Sequence, residues 1–520
     1  MTQDLIKPFS SDYIDYLHDE SRRVGTADFI AFPTTEAEVI EALREAHTRR
    51  IVVTTQGART GLVAGAVPRG GLVLNLSRMN AIGEIRGEPG GHRLTVQPGA
   101  TLAEICRVVE AQGLLFPPDP TETSASIGGM VASNASGALT FHYGSTRNWV
   151  ESLRVVLSDG SVLHIRRGKN HARGRSFALT TEDGRVISGD LPSCTQPNVK
   201  SAAGYYVAED MDLIDLFIGM EGTLGVITEI ELKLIPRPQA IHGLTIFLPS
   251  EDAALKFVRA ARGEGVADRP GTPFPDASSR ISDPPPLATR PVAIEFFNSD
   301  ALNLLRRAKS DNPAFADIPA LRPNYHTAIY IEFHGESDEE LEEAVLRVTD
   351  VLANLGVSDD DTWYATSDRE LEPIKAFRHA IPEAVNLLID ERKRSSAELT
   401  KLGTDMSVPD ECLEAVMSMY NSDLAANGLE SVIFGHIGNN HAHVNILPNS
   451  VEEYERGKSL YLSWARRIVE MGGSVSAEHG IGKLKAPFLA LMYGEVAIAQ
   501  MRALRALFDP DGMLNRGNLF

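Results

Sequence analysis

A chain of 520 residues is too long for one hydrophobic core and implies two domains or three. A hydrophobic fraction of 43%, with no apolar run near the ~18 residues a helical membrane span needs, fits an ordinary globular protein. The net charge of −20 argues against nucleic acid or an anionic membrane surface as partner, yet permits an acidic substrate held by local Arg and Lys. Three scattered cysteines without a CxxC pair give no disulfide framework and no four-cysteine iron–sulfur cluster. The N-terminus MTQDLIKPFS has no signal-peptide pattern, so a cytoplasmic location is expected, with peripheral membrane association left open.

The first 25 residues are polar and read as a capping segment. FIAF then gives a short apolar run, Pro33 breaks it, and Val39, Ala42, Leu43 and Ala46 repeat at helical spacing behind a Thr35-x-x-Glu38 capping-box pattern. A strand, IVVTTQ, enters a loop with four glycines between Gly57 and Gly70, whose backbone can approach a ligand closely and favours a phosphate. Neither GxGxxG nor a Walker loop occurs, so a conventional NAD site is not expected. A second small-residue stretch runs from Gly128-Gly129 through Asn134 to Gly137 and leaves room for a flat ligand against backbone. LRVVLSDGSVLHIRR reads as a hairpin with a type I′ turn at Asp159-Gly160, and residues 168–200 as a long surface loop. Beyond Ile241, three strands alternate with helices, which predicts an antiparallel sheet with helices on one side; the Pro- and Ser-rich run 269–290 reads as a loop.

Near the C-terminus, FGHIGNNHAHVNI (434–446) holds three histidines in eight positions, and SAEHGIGK adds Glu478-His479. In an extended strand His441, His443 and Asn445 project from one face, and the Gly438-Asn439-Asn440 turn can bring His436 back to it. Two His and a Glu suit a divalent metal, and a further His is free for proton transfer.

The motifs TQGARTGLVAGAVP, FPPDPTETSASIGGMVASNASG, YGSTRNWVESLRVVLSDG and GMEGTLGVITEIELKLIPRP resemble the FAD-binding domain of the vanillyl-alcohol oxidase superfamily. The whole chain is most similar to its D-lactate, glycolate and D-2-hydroxyglutarate dehydrogenase group. The resemblance implies an α+β fold: a PCMH-type two-subdomain FAD-binding domain (1–240), an antiparallel-sheet substrate or cap domain carrying the metal strand (241–475), and a C-terminal segment (476–520) returning to the flavin domain. It places FAD against Gln56, Gly57, Ala58, Arg59, Thr60, Gly61 and Gly65; against Pro118, Ser126, Ile127, Gly128, Gly129, Asn134 and Gly137; and against Gly222, Thr223, Val226, Ile227 and Asn515. Where relatives attach flavin covalently through a His in the Gly-rich loop, this chain has Arg59, so non-covalent FAD is expected.

The same resemblance puts a divalent metal, Zn or Mn, on His436, His443 and Glu478, makes His479 the base and Asn445 a substrate contact, and gives Arg378 the substrate carboxylate. Three departures stand out. The usual FGHxGDGNxH becomes FGHIGNNHAH, which leaves His441 without a role; Pro382 replaces a substrate-binding Thr; and Gly403 replaces a Lys, with Lys401 two residues earlier as a substitute. Loss of contacts to a second carboxylate favours a short monocarboxylate such as D-lactate over D-2-hydroxyglutarate; glycolate is a further alternative, and a flavin-binding electron-relay subunit the weaker one. The electron acceptor (quinone, electron-transferring flavoprotein, cytochrome or O₂) and a homodimer are left open.

Overall fold

The helix Glu36–Arg49 begins where the sequence places it, with Val39, Ala42, Leu43 and Ala46 all buried. Its cap departs from the expected box by one residue. Thr35 accepts the Glu38 N–H, but the Glu38 carboxylate bonds the N–H and hydroxyl of Thr34 instead of Thr35. The protein is described by a computed structural model covering residues 5–262, 290–394, 396 and 398–520. The run 269–290 therefore lies, up to residue 289, outside the described residues.

The helix packs on a four-stranded sheet in the order Lys7–Pro8, Phe29–Ala31, Leu72–Asn75, Val53–Gln56, whose last two pairings are parallel. The supposed capping segment thus supplies an edge strand and a 3₁₀ turn, Ser11–Leu17. The C-terminus returns here: the Val53 N–H bonds Met513 C=O and the Asn515 N–H bonds Val53 C=O.

A second, antiparallel sheet runs Ile82–Glu88, Gly91–Val96, Val226–Pro236, Val150–Val156, Val162–Arg166. Its Asp159-Gly160 hairpin is not type I′, because only Gly160 has positive φ (80°). The Gly160 N–H bonds Leu157 C=O and the Leu157 N–H bonds Ser161 C=O, a three-residue loop with glycine in the left-handed position. The expected surface loop 168–200 is also corrected. It contains a hairpin, Ser176–Thr180 with Val186–Asp190, held down by buried Phe177, Leu179 and Ile187.

The third sheet has seven strands, all antiparallel, ordered Thr362–Ala365, Ala240–Leu248, Thr327–Gly335, Ala293–Phe297, Ser431–His436, His441–Ile446, Leu402–Gly403. Helices cover both of its faces, not one. Ile329, Ile331 and Phe333 pack in one core with Leu341 and Phe257 of helices Asp338–Asn354 and Glu251–Ala261. Ala328 and Tyr330 pack in another with Leu305 and Phe377 of helices Ser299–Asp311 and Asp368–Lys393. Every residue of Thr327–Gly335 is buried, as a two-sided strand requires.

Register then aligns the polar side chains. Residues paired across antiparallel strands share a face, and pairing runs Glu295↔Tyr330, Phe297↔Phe434, Phe434↔His443 and His436↔His441. With alternation along each strand, Glu332, Tyr330, Glu295, His436, His441, His443 and Asn445 form a row on one face. A sheet core has no use for such a row.

Candidate active site

A cavity of about 340 Å³ lies where the glycine-rich loops of the first two sheets meet this row. Of the expected cofactor contacts, Gln56, Gly57, Ala58, Arg59, Thr60, Gly61, Gly65, Ser126, Gly128, Gly129, Gly137, Gly222, Ile227 and Asn515 line it. Five do not. Ile127 and Val226 are core residues, and Pro118 is buried beside the lining. Thr223 is hydrogen-bonded to the Tyr205 hydroxyl and Met220 C=O, and the Asn134 amide oxygen accepts from Ser145 Oγ and the Arg147 N–H.

The loops are fixed from behind. Ser126 Oγ accepts the Ala58 N–H at 3.2 Å, and a Cβ at Gly57 would lie 2.0 Å from that oxygen. Asn515 accepts from the Thr55 N–H and donates to Glu221 C=O, while a Cβ at Gly222 would lie 2.4 Å from its amide nitrogen. Glu221 accepts the N–H groups of Ile481 and Gly482, and Lys483 Nζ binds Ala64 C=O, Gly65 C=O and Asn518 Oδ1. By contrast, a Cβ at Gly61 would meet nothing within 4 Å. That open, backbone-lined stretch fits a dinucleotide lying along it.

Opposite the glycine loops, the cavity meets His436 of the cap sheet and Glu478 and His479 of the C-terminal segment. His436 Nε2 is 3.2 Å from Glu478 Oε2, and His443 Nε2 is 3.2 Å from Glu478 Oε1. Each imidazole is aimed through its other nitrogen: His436 Nδ1 is 2.7 Å from Glu295 Oε1, and His443 Nδ1 donates to Thr404 C=O at 3.0 Å. Burial depresses the His436 pKa, but the Glu295 and Glu478 carboxylates together outweigh it and lift the ring to about 9. Donor atoms bound at ~2.0–2.1 Å around a tetrahedral ion stand roughly 3.3 Å apart, so this His₂Glu set fits a divalent metal. Two glycines allow the arrangement. A Cβ at Gly435 would come 2.7 Å from the His443 ring, and one at Gly438 would come 2.9 Å from the Phe141 ring, which packs there from the flavin side.

His479 Nε2 lies 3.5 Å from Glu478 Oε1, and its Nδ1 is 3.5 Å from Asp405 Oδ2. Burial, against the pull of the Asp405 and Glu478 carboxylates, pushes its pKa down to about 4, so it is neutral at pH 7. Asp405 is fully buried and accepts the backbone N–H groups of Glu478 and His479 as well as Lys485 Nζ at 2.5 Å. Asp405 stands two residues after Gly403, but nothing local marks it as the residue beneath the Glu-His pair.

Arg378 reaches the polar row from the long helix, its guanidinium over the Tyr330 ring and 3.9 Å from Asp119 Oδ2. Burial lifts the Asp119 pKa to about 7 in spite of that arginine. Asn445 is buried on the His443 face, with its Oδ1 where a Cβ at Gly403 would come within 2.9 Å. Lys401, expected to serve as a substrate contact, binds Asn386 Oδ1 at 2.9 Å through its ammonium. The lysine at Glu478 is Lys200, at 2.6 Å, from the stretch expected to be surface loop. No sequence signal pointed to it.

Comparison with known proteins identifies the fold and the cofactor class. Residues 27–166 match a model described as "FAD binding domain", and residues 274–519 one described as "FAD linked oxidases, C-terminal domain". The solved structure of p-cresol methylhydroxylase with substrate bound shares the fold, with a TM-score of 0.67 at 15% identity over 99% of this chain and 94% of that one. Fold and cavity define the class: the protein is an FAD-dependent oxidoreductase with a PCMH-type flavin domain. The probable mitochondrial D-lactate dehydrogenase of Danio rerio is 30% identical over 96% of this chain and 86% of its own length. A D-2-hydroxyglutarate dehydrogenase of Xanthomonas citri pv. viticola is 30% identical over 99% and 94%. The chain belongs to the FAD-linked D-2-hydroxyacid dehydrogenase group. Among the described residues, no helix is long and apolar enough to cross a membrane.

Proposed function

We propose that the protein oxidises a small D-2-hydroxy acid to the 2-oxo acid, with D-lactate as the preferred substrate and a non-NAD electron acceptor. The observation that carries this reading is the pair of imidazole Nε2 atoms, each 3.2 Å from one oxygen of Glu478, beside a neutral His479 on the flavin cavity. FAD supplies the hydride acceptor at its N5, and a divalent ion, Zn or Mn, held by His436, His443 and Glu478 supplies Lewis acidity toward the substrate oxygens.

The chain's own groups do the rest. Arg378 binds the substrate carboxylate, its planar fork suited to two oxygens. His479 Nε2 takes the hydroxyl proton as the C–H bond breaks, and Asp405 holds that ring in place and offsets the imidazolium that forms. Asn445 supplies a further polar contact to substrate. Arg59, its guanidinium 4.5 Å over the Tyr16 ring, offers no nucleophile for a flavin linkage, so FAD is held without a covalent bond.

A short substrate follows from the charges around Arg378. Asp119, Glu295 and Glu332 all lie close enough to perturb it, and Lys401 faces Asn386. A second carboxylate brought there meets like charge.

The test is anaerobic bleaching of the flavin by D-lactate, L-lactate, glycolate and D-2-hydroxyglutarate, with and without a chelator. D-lactate is expected to bleach fastest, and chelation to suppress bleaching while FAD stays bound. Full-rate bleaching after complete metal removal excludes the metal role; no bleaching by any 2-hydroxy acid leaves an electron-relay role.

A further inference from the structure

Lys200 is almost wholly buried, with its side chain 4% exposed, yet it belongs to the flavin half of the molecule and ends at the carboxylate of the cap's proposed metal site. Its backbone is pinned to that site: Ser407 Oγ donates to Lys200 C=O at 2.6 Å, and the Ala202 N–H bonds Ser476 C=O at 2.8 Å. A lysine of this length normally carries its charge out to water. Here Nζ lies 2.6 Å from Glu478 Oε2 and 3.3 Å from His441 Nδ1.

His441 thereby acquires a role. An ammonium can only donate, so the Nδ1 facing Lys200 accepts through its lone pair and the ring proton sits on Nε2, 3.1 Å from Asp405 Oδ1. His441 stands beside His436, His443 and Glu478, but its Nδ1 faces the lysine as an acceptor. Glu478 is divided accordingly. Oε2 has Lys200, Ser136 Oγ at 3.3 Å and His436 around it, while Oε1 faces His443 and His479.

We propose, resting on the metal reading above, that Lys200 is a built-in cation that shares Glu478 with the divalent ion, aiming the carboxylate while weakening the ion's hold on it. Imidazoles that ligate a metal give up their protons, so two of them with one carboxylate would present a net charge of −1 to the metal; with Lys200 the set is neutral. An ammonium one carboxylate away from a dication repels it, and a carboxylate that already accepts from an ammonium donates less to the metal. The ion is thus held exchangeably and stays a stronger Lewis acid.

The test measures Mn²⁺ binding to full-length, FAD-loaded, chelator-stripped protein, from the loss of the free-ion EPR signal. Lys200→Met is expected to bind at least about 10-fold more tightly than the parent, the scale on which groups behind the ligands tune metal affinity. Lys200→Arg keeps the charge and Ser136→Ala removes only a neutral hydrogen bond, so both stay within roughly fivefold of the parent. Lys200→Gln, which keeps a donor for Glu478 without the charge, is expected to tighten binding as well, and it decides the matter if the methionine variant does not fold. Equal or weaker binding in the uncharged variants overturns the role of Lys200 alone. A parent protein that binds neither Mn²⁺ nor Zn²⁺ overturns the metal reading and this inference with it.

Discussion

In the proposed reaction His479 is the residue that takes the proton. Its neutrality does not come from its ordinary pKa, because two carboxylates within 3.5 Å pull it toward the imidazolium and burial outweighs them. His479→Gln keeps the shape and removes the base. Its kcat is expected to fall about 10²–10⁴-fold with FAD content unchanged, read by stopped-flow flavin reduction. A loss smaller than tenfold assigns the proton transfer elsewhere. Arg378, Asn445 and Lys401 show how differently three expected substrate residues can fare. The first reaches the polar row from its helix, the second lies on it, and the third is bound to Asn386 instead.

At the scale of elements, the decisive features are turns built around absent side chains. Strand Val53–Gln56 ends in a loop that presses on Ser126 at the start of helix Ile127–Ser133, and Gly57 has no room for a methyl group. Gly57→Ala must displace Ser126 or the loop, an overpacking cost of about 1–3 kcal/mol. A lower Tm and loss of FAD on gel filtration are expected; unchanged retention of flavin would show that the loop adapts without consequence. The histidine motif follows the same logic. Gly435 admits the His443 ring and Gly438 admits Phe141, so the turn closes with His436 returned beside its partners.

For the whole molecule, stability is tied to pH through buried carboxylates. Glu332 is buried, which alone raises its pKa, but His334, Lys375 and the Tyr330 hydroxyl outweigh burial and bring it down to about 2 from 4.5. A depressed folded pKa stabilises above the unfolded value and is lost on acidification, so the window here runs from about pH 4.5 down to about 2. The term is on the order of 3 kcal/mol. Asp119 and Glu221 act with opposite sign: burial raises both to about 7, so their contribution is complete at acid pH and fades as pH rises toward 7. Denaturant melts of the parent and Glu332→Gln across pH 2–5 are expected to converge at the acid end. Parallel curves would place the acid sensitivity in other groups.

Much of the protein was legible in its sequence because the signals are local. A helical repeat buried Val39, Ala42, Leu43 and Ala46, the glycine loops announced a ligand against backbone, and a period of two put His443 and Asn445 on one face. The hairpin inside 168–200 was missed because its buried residues alternate over only five positions within a polar stretch. The two-sided cap sheet was missed because strands buried on both faces lose the alternation that reveals one buried face. Contacts between distant segments were beyond reach altogether. Lys200 and Glu478 are 278 residues apart, and a lysine in a polar run gives no hint that its charge is buried against another segment's carboxylate. The sequence by itself determined the glycine loops and the histidine cluster with its Glu-His pair, since each is a short run of residue types legible without its neighbours. Only the tertiary structure decided which lysine faces Glu478 and which groups surround His441, because burial and pairing of charge are properties of the assembled interior.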